Sequence, residues 1–171
     1  DEFLAIVDEI VDETVRLERE NGHSFFLMDY ARARPWVVRP PRSLFVEGEI
    51  ALMMAARRLV REKEAYRKPL AERVDRIIRS MRAGPLLCAE SYPDECWTFC
   101  NTMALAAVRL FDVLEGEDHT AFIEEWLRTA RSELIEPESG LLVSAFTMDG
   151  HVLHGPEGSS IWTVAHNLLL I

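Results

Sequence analysis

The main pattern along the chain is an alternation of helices with one apolar face and helices that are apolar on most faces. Apolar residues recur at helical spacing between acids over residues 2–21, which predicts an amphipathic helix. Ser43 opens a second predicted helix, 44–62, in which the run Ala51–Ala56 is apolar around much of the circumference. A third helix, with a basic exposed face, is predicted over 68–82. The segment between the first two helices, closed by two prolines, is predicted to be strand-like or irregular.

The same pattern starts again after Gly84. A loop over 85–93 precedes an apolar helix over 94–114, and an amphipathic helix follows over 118–134. Residues 141–154 predict a β-hairpin that turns at Asp149-Gly150, because an Asp-Gly pair between alternating apolar residues is a strong hairpin signal. A third apolar helix is predicted over 159–171. The chain therefore contains three apolar helices, each preceded by a loop.

These units form a weak internal repeat of about 50 residues, the length typical of stacked helical hairpins. Ala55–Leu59 resembles Ala106–Leu110, and Trp97-Thr98 resembles Trp162-Thr163. We expect an all-α fold in which helical hairpins form about half of an (α/α) toroid, with short β-hairpin loops at one mouth. On this hypothesis residues 1–171 belong to a single domain that continues beyond both ends. An open solenoid of the HEAT type is the alternative.

The charge of the chain narrows the class of partner. The 171 residues carry a formal net charge of −10, so a basic surface for nucleic acid or for an anionic membrane is not expected. No apolar run is long enough to span a membrane. The three cysteines lie in one segment and do not suggest a disulfide framework, which favours a cytoplasmic protein with reduced thiols. The sequence contains no recognised metal or nucleotide motif, so we predict no metal and no cofactor.

Polar residues concentrate where each apolar helix begins. If the three helices converge, their N-terminal ends would form a cup suited to acid/base chemistry. A structural role is the alternative for many of them: acids favour a helix N-terminus, Glu47 fits a capping box with Ser43, buried cysteines pack as small apolar residues, and a histidine in an apolar helix is often hydrogen-bonded in the core. The set comprises Arg42, Glu47, Glu49, Tyr92, Asp94, Glu95, Cys96, Cys100, Asn101, Glu157, Ser159, Ser160 and His166.

The stretch Ser91–Asn101 resembles an element of the linalool dehydratase/isomerase family, in which a loop-to-helix segment carries a cysteine, an acid, a proline, an aromatic residue and a Cys-Asn pair. The resemblance implies an (α/α) toroid. It also implies that Cys100 corresponds to the second active-site cysteine of the family, with Pro93, Trp97 and Asn101 matching the surrounding pattern. Ser91 and Tyr92 stand where the family has its first cysteine and its acid.

The leading hypothesis is therefore a small-molecule enzyme that performs metal-independent acid/base chemistry on an alcohol or a carbohydrate-like substrate. Asp94 or Glu95 would be the acid or base, and Tyr92, Cys100 and His166 would position the substrate or protons. The alternatives are a glycoside-hydrolase-like toroid, a non-catalytic helical-repeat scaffold that binds a peptide or protein, and a toroid completed by a second chain or a missing segment. Predicted substrate-binding residues are Arg42, Glu47, Glu49, Trp97, Asn101, Glu157 and Trp162.

Overall fold

The computed structural model describes residues 2–171, without the side chains of Pro85 and Ser159. The protein is mostly helical and contains one small antiparallel sheet of three strands. Among the described residues, no helix combines the length and the apolar character needed to cross a bilayer. The helices are α1 (Glu2–Asn21), α2 (Asp29–Arg32), α3 (Leu44–Val60), α4 (Arg67–Ala83), α5 (Thr98–Glu115), α6 (Thr120–Glu133) and α7 (Gly158–Asn167), and the strands are β1 (Cys96–Trp97), β2 (Ala145–Phe146) and β3 (Val152–His154).

The helix predictions are confirmed, although α7 ends at Asn167 and not at residue 171. One further change matters for the site. The helix predicted to begin at residue 94 begins at Thr98, because Cys96 and Trp97 pair with β2 as strand β1. The predicted hairpin is confirmed in the shorter strands β2 and β3. The segment before α3 is irregular, as expected, but it also contains the short helix α2, which the pattern did not predict.

The first turns of α3, α5 and α7 lie at one end of the molecule. The amide of Leu44, at the start of α3, donates to the carbonyl of Glu90 (2.8 Å), just before the turn that leads into α5. Ser144 joins the other two helices, because its carbonyl accepts from the amide of Thr98 (3.0 Å) and its hydroxyl accepts from the amide of Glu157 (3.0 Å). Three helix N-termini are therefore held together by two connecting segments.

Helix α4 runs in the opposite direction to α3 and α5. Arg67, at its first residue, bonds Glu115 at the end of α5 (2.9 Å), whereas Arg76, two turns further along, bonds Glu47 near the start of α3 (2.8 Å). The apolar face of α4 contributes Leu70, Val74 and Ile77 to the core, where they pack with buried side chains of α3 and α5. Helix α6 adds Phe122, Ile123 and Trp126 to the same core.

The contact between α3 and α5 depends on small residues. A Cβ atom at Gly48 would lie 3.2 Å from the Cβ atom of Ala104, and Ala51, Ala55 and Ala107 are completely buried. Side chains this small let two helices approach more closely than larger residues would permit. The helices that carry Phe45, Glu49 and Cys100 are thus fixed relative to each other by close packing.

A buried network of charged groups fixes the start of α3 against α1 and α4. Glu47, only 2% exposed, accepts hydrogen bonds from Arg42 (2.6 Å), Arg73 (2.7 Å) and Arg76 (2.8 Å). Arg73 also bonds Glu18 of α1. The predicted capping box is half right: the Ser43 hydroxyl accepts from the amide of Val46, but the Glu47 carboxylate binds arginines instead of the helix N-terminus.

We expect Gly48→Val to destabilise the protein by about 1–3 kcal/mol, because the added methyl groups must push α3 away from Ala104. Urea unfolding followed by circular dichroism measures the change. Gly155→Val is the matched control, since nothing lies within 4 Å of a Cβ atom at Gly155. Equal stability of the two variants would contradict the close-packing interpretation.

The network also predicts how stability depends on pH. Burial by itself would raise the pKa of Glu18, but hydrogen bonds from His23 and Arg73 outweigh it and lower the pKa from 4.5 to about 2. The stabilisation from Glu18 is therefore complete above its unfolded-state pKa and is lost as the pH falls through the folded-state value.

We expect Glu18→Gln to be less stable than the wild type at neutral pH and to lose less further stability between about pH 5 and pH 2. Urea midpoints across this range test the expectation. Glu20→Gln, which removes an exposed acid of the same helix, should follow the wild-type curve closely. Parallel curves for Glu18→Gln and the wild type would refute the assignment.

Candidate functional site

The segment Tyr92–Glu95 forms a tight turn at the end where the three helices begin. The amide of Glu95 donates to the carbonyl of Tyr92 (2.9 Å), Pro93 occupies the second position, and Asp94 has a φ of 56°. This is the arrangement of a type II turn, in which the third residue needs a positive φ that aspartate tolerates better than most residues do. The Asp94 carboxylate accepts from the amide of Met148 (3.2 Å). Asp94 thus shapes the turn and joins it to the β2–β3 loop.

Glu95 lies at the base of the turn with its carboxylate buried. One oxygen accepts from Arg34, and the other accepts from the indole N–H of Trp97 (3.0 Å) and, at 3.5 Å, from the Tyr30 hydroxyl. The side chain of Glu95 is 7% exposed, and that of Arg34 is 40% exposed. Glu95 therefore links residues from the α2 segment to strand β1.

Aromatic rings cover the surface beside this carboxylate. Tyr92 stacks on Phe45, with ring centroids 5.8 Å apart, and contacts Tyr30 (6.3 Å) and Trp97 (6.5 Å). Trp97 in turn stacks on His154 at 5.4 Å. The rings come from four different segments of the chain. Together with their polar neighbours they define the Tyr92 cluster: Tyr30, Arg34, Phe45, Glu49, Tyr92, Glu95, Trp97, Cys100 and His154.

Glu49 has the most unusual environment in the Tyr92 cluster. It is half-buried on α3, one turn after Phe45, and within the described residues its side chain makes no hydrogen bond or ion pair. Burial raises the pKa of Glu49 above its ordinary value. Burial, together with the charges of Cys100, Tyr30, Glu49 and Glu95, also raises the pKa of Tyr92 to about 12. The arrangement favours a protonated carboxyl next to a protonated phenol.

The three cysteines are buried, reduced thiols. Burial raises the pKa of Cys100 to about 12, although a hydrogen bond with Ser91 opposes this effect. Burial likewise raises the pKa of Cys88 to about 12, where the indole of Trp126 donates to its sulfur (3.4 Å). Cys96 lies 3.2 Å from the sulfur of Met148. Cys100 belongs to the Tyr92 cluster because its charge contributes to the raised pKa of Tyr92, and at neutral pH it is a neutral thiol.

Three of the predicted site residues make hydrogen bonds that hold the fold together. The Asn101 side chain is fully buried, where it accepts from the amide of Ala89 (3.1 Å) and donates to the carbonyl of Trp97 (2.9 Å). It thereby fixes the loop before the turn to the first turn of α5. Glu47 and Arg42 belong to the buried charged network described above and not to the Tyr92 cluster.

The predicted residues of the last segment are only partly connected to the cluster. Glu157 lies 3.3 Å from His154, which stacks on Trp97, so it stands at the rim. His166 and Trp162 lie exposed on α7, Trp162 with 79% of its surface accessible. None of the hydrogen bonds or ring contacts of the described residues joins either side chain to Tyr92, Glu95 or Cys100.

One group of side chains has the spacing of a metal site but not the free donors. Ligand atoms of Glu18, His23 and Glu47 lie within 4.8 Å of one another. One nitrogen of His23 accepts from the amide of Ser43 (2.8 Å), and both carboxylates are bound by arginines. Since positively charged guanidinium groups already occupy the carboxylate oxygens, these residues do not fit a cation. They belong to the charged network that fixes the start of α3.

Arg34, Tyr30 and His154 are absent from the candidate residues predicted from the sequence. Arg34 and Tyr30 reach Glu95 only because the α2 segment folds back over the turn, and no periodicity marks that approach. Phe45 could have been noticed, because it lies one helical turn before Glu49.

The Tyr92 cluster thus combines an unpartnered carboxyl, protonated phenol and thiol groups, an arginine and a face of aromatic rings. Such a set can donate a proton to an oxygen of a bound molecule and pack against its apolar surface. A scan of the chain against models of known protein families finds no match.

Proposed function

We propose that the chain is part of an (α/α) toroid resembling the linalool dehydratase/isomerase family and that it performs metal-independent acid/base chemistry on an alcohol or a carbohydrate-like substrate. The observation that carries the proposal is Glu49, a half-buried carboxyl without a hydrogen-bond partner among the described residues, beside Tyr92 and Cys100. Acids with a raised pKa in a partly apolar cleft are typical proton donors.

The helix arrangement supports the toroid. The apolar helices α3, α5 and α7 begin at one end, and α4 returns antiparallel to α3 and α5. This alternation is expected when inner helices converge at one mouth and outer helices surround them. The proposal differs from an open solenoid in its prediction that polar groups gather at that mouth, and the contacts among Tyr92, Glu95 and Trp97 agree with it.

We assign the acid/base role to Glu49 on the basis of hydrogen bonding. Asp94 holds the amide of Met148, and Glu95 has three donors, so both carboxylates are already engaged. Protonated Glu49 would donate to a hydroxyl or a glycosidic oxygen and so make it a better leaving group. Tyr92, protonated at neutral pH, would donate a hydrogen bond to the same oxygen region, and the buried Cys100 thiol would support Tyr92 from behind.

A helical-repeat scaffold that binds a protein is the second candidate function. The outer face of α1 favours it, because Phe3, Ile6 and Ile10 are between 52% and 68% exposed and lie at helical spacing. Exposed apolar stripes of this kind are common at protein interfaces. A scaffold requires no proton donor, so the two functions differ in what Glu49 does.

We expect Glu49→Gln to lower turnover by about 10²–10⁴-fold, because the amide retains the shape of the side chain but cannot transfer a proton. Proton NMR of the full chain with a panel of alcohols and methyl glycosides measures turnover, through new alkene protons or new anomeric protons. Glu9→Gln, an exposed acid on α1, is the matched control and should be fully active.

Unchanged turnover in Glu49→Gln would refute the assignment of the acid. If the wild type turned over no member of the panel while binding a protein through α1, the scaffold would replace the enzyme hypothesis. Circular dichroism of each variant shows whether a loss of turnover reflects a loss of fold.

A further inference from the structure

Arg34 is a fixed cation with unused hydrogen-bond donors. Its guanidinium makes one hydrogen bond among the described residues, to Glu95. An arginine side chain has five N–H groups, so most of its donors remain available. The side chain is 40% exposed. A surface arginine that is held at one edge and open at the other can bind a second anionic group.

Glu95 is arranged to hold this arginine in one orientation. Its second oxygen accepts hydrogen bonds from the indole of Trp97 and, at longer distance, from the hydroxyl of Tyr30. The carboxylate is therefore held in place by groups other than Arg34. Ordering a free arginine on a ligand costs conformational entropy, and a preset one avoids much of that cost. Arg34 is therefore suited to bind a ligand, and Glu95 holds it in position.

The surroundings of Arg34 favour an organic anion over a bare ion. Tyr30 and Trp97 share its carboxylate partner, and Tyr92 contacts both of their rings. A ligand that bonds Arg34 would therefore lie against an aromatic surface, which favours a molecule with a carbon skeleton.

Two neighbouring arginines at this end already have a carboxylate partner. Arg42 and Arg76 both bond Glu47, whose carboxylate has several partners. The net charge of −10 disfavours anions at long range. At physiological ionic strength, however, the screening length is about 8 Å, so an anion on the Tyr92 cluster is governed mainly by the groups next to it.

We propose that Arg34 binds a carboxylate of the substrate, so that the substrate is a hydroxylated carboxylate such as a uronic acid or a small hydroxy acid. The inference rests on the proposed function for the hydroxyl that Glu49 would protonate. It adds that the same molecule carries a carboxylate within reach of Arg34. Glu95 is then a positioning residue, which acts through Arg34.

Binding to matched pairs of probes tests the proposal without requiring turnover. The pairs are glucuronate with glucose and 3-hydroxybutyrate with 2-butanol, each differing mainly in the carboxylate. Saturation-transfer NMR with the full chain gives the dissociation constants. We expect one anionic member to bind at least about tenfold more tightly than its neutral partner, because a charge-assisted, bidentate contact is gained. A difference in the first pair would indicate a sugar acid as the substrate, and a difference in the second pair would indicate a short hydroxy acid.

Three variants locate the effect. Arg34→Gln should abolish the preference for the anion, and Arg34→Lys should retain only part of it, because an ammonium group cannot form the bidentate contact. Arg39→Gln, which removes an exposed arginine of the same segment, should keep the wild-type preference. Because the binding measurement requires no proton transfer, a failure of the acid assignment at Glu49 is distinguishable from a failure of this one.

Equal affinity of the wild type for both members of both pairs would overturn the proposal. So would an undiminished preference in Arg34→Gln, provided that circular dichroism shows the variant folded. A loss of preference in Arg39→Gln as large as that in Arg34→Gln would also overturn it, since the effect would then come from charge in general and not from a site at Arg34.

Discussion

The site depends most on the hydrogen bonds that the carboxylate of Glu90 accepts. It is 2% exposed and accepts from three backbone amides, those of Val37 (2.9 Å), Val38 (2.9 Å) and Asp94 (2.8 Å). Two of these belong to the irregular segment after α2, and the third belongs to the turn before α5. If these hydrogen bonds were broken, buried polar groups would be left unpaired, which would lower the free energy of unfolding considerably. Glu90 thus joins the two parts of the chain that carry the Tyr92 cluster.

Ser43 and Ser91 extend this junction to the helices. The Ser43 hydroxyl donates to the carbonyl of Ser91 (2.6 Å) and accepts from the first turn of α3, whereas the Ser91 hydroxyl accepts from the amide of Trp97 (3.2 Å). Both serines are completely buried. Since the close contact at Gly48 fixes α3 against α5, a shift of either helix would disturb the turn between them. The geometry of the Tyr92 cluster therefore depends on the packing of α3 against α5.

Periodicity and turn chemistry allowed most of the fold to be predicted, because both are local properties. The helices required only the spacing of apolar residues, and the β2–β3 hairpin required only Asp149-Gly150. Strand β1 could not be predicted, since two residues carry no periodic signal and its partner lies about 50 residues away in the chain. The type II turn at Asp94 is local, but its bond to Met148 is long-range and carries no local signal.

The candidate site was predicted in part, and the limit is instructive. Glu47 and Glu49 look equivalent in the sequence, yet a difference of two residues on a helix turns the first toward Arg73 and the second toward Tyr92. Glu47, Glu90 and Glu95 all have several donors, and such acids serve structure or support other groups. Glu49 differs because its burial is not compensated by a donor among the described residues. A half-buried carboxyl without a donor contributes little to holding the fold, and this difference is why Glu49, and not Glu47 or Glu95, is the proposed proton donor.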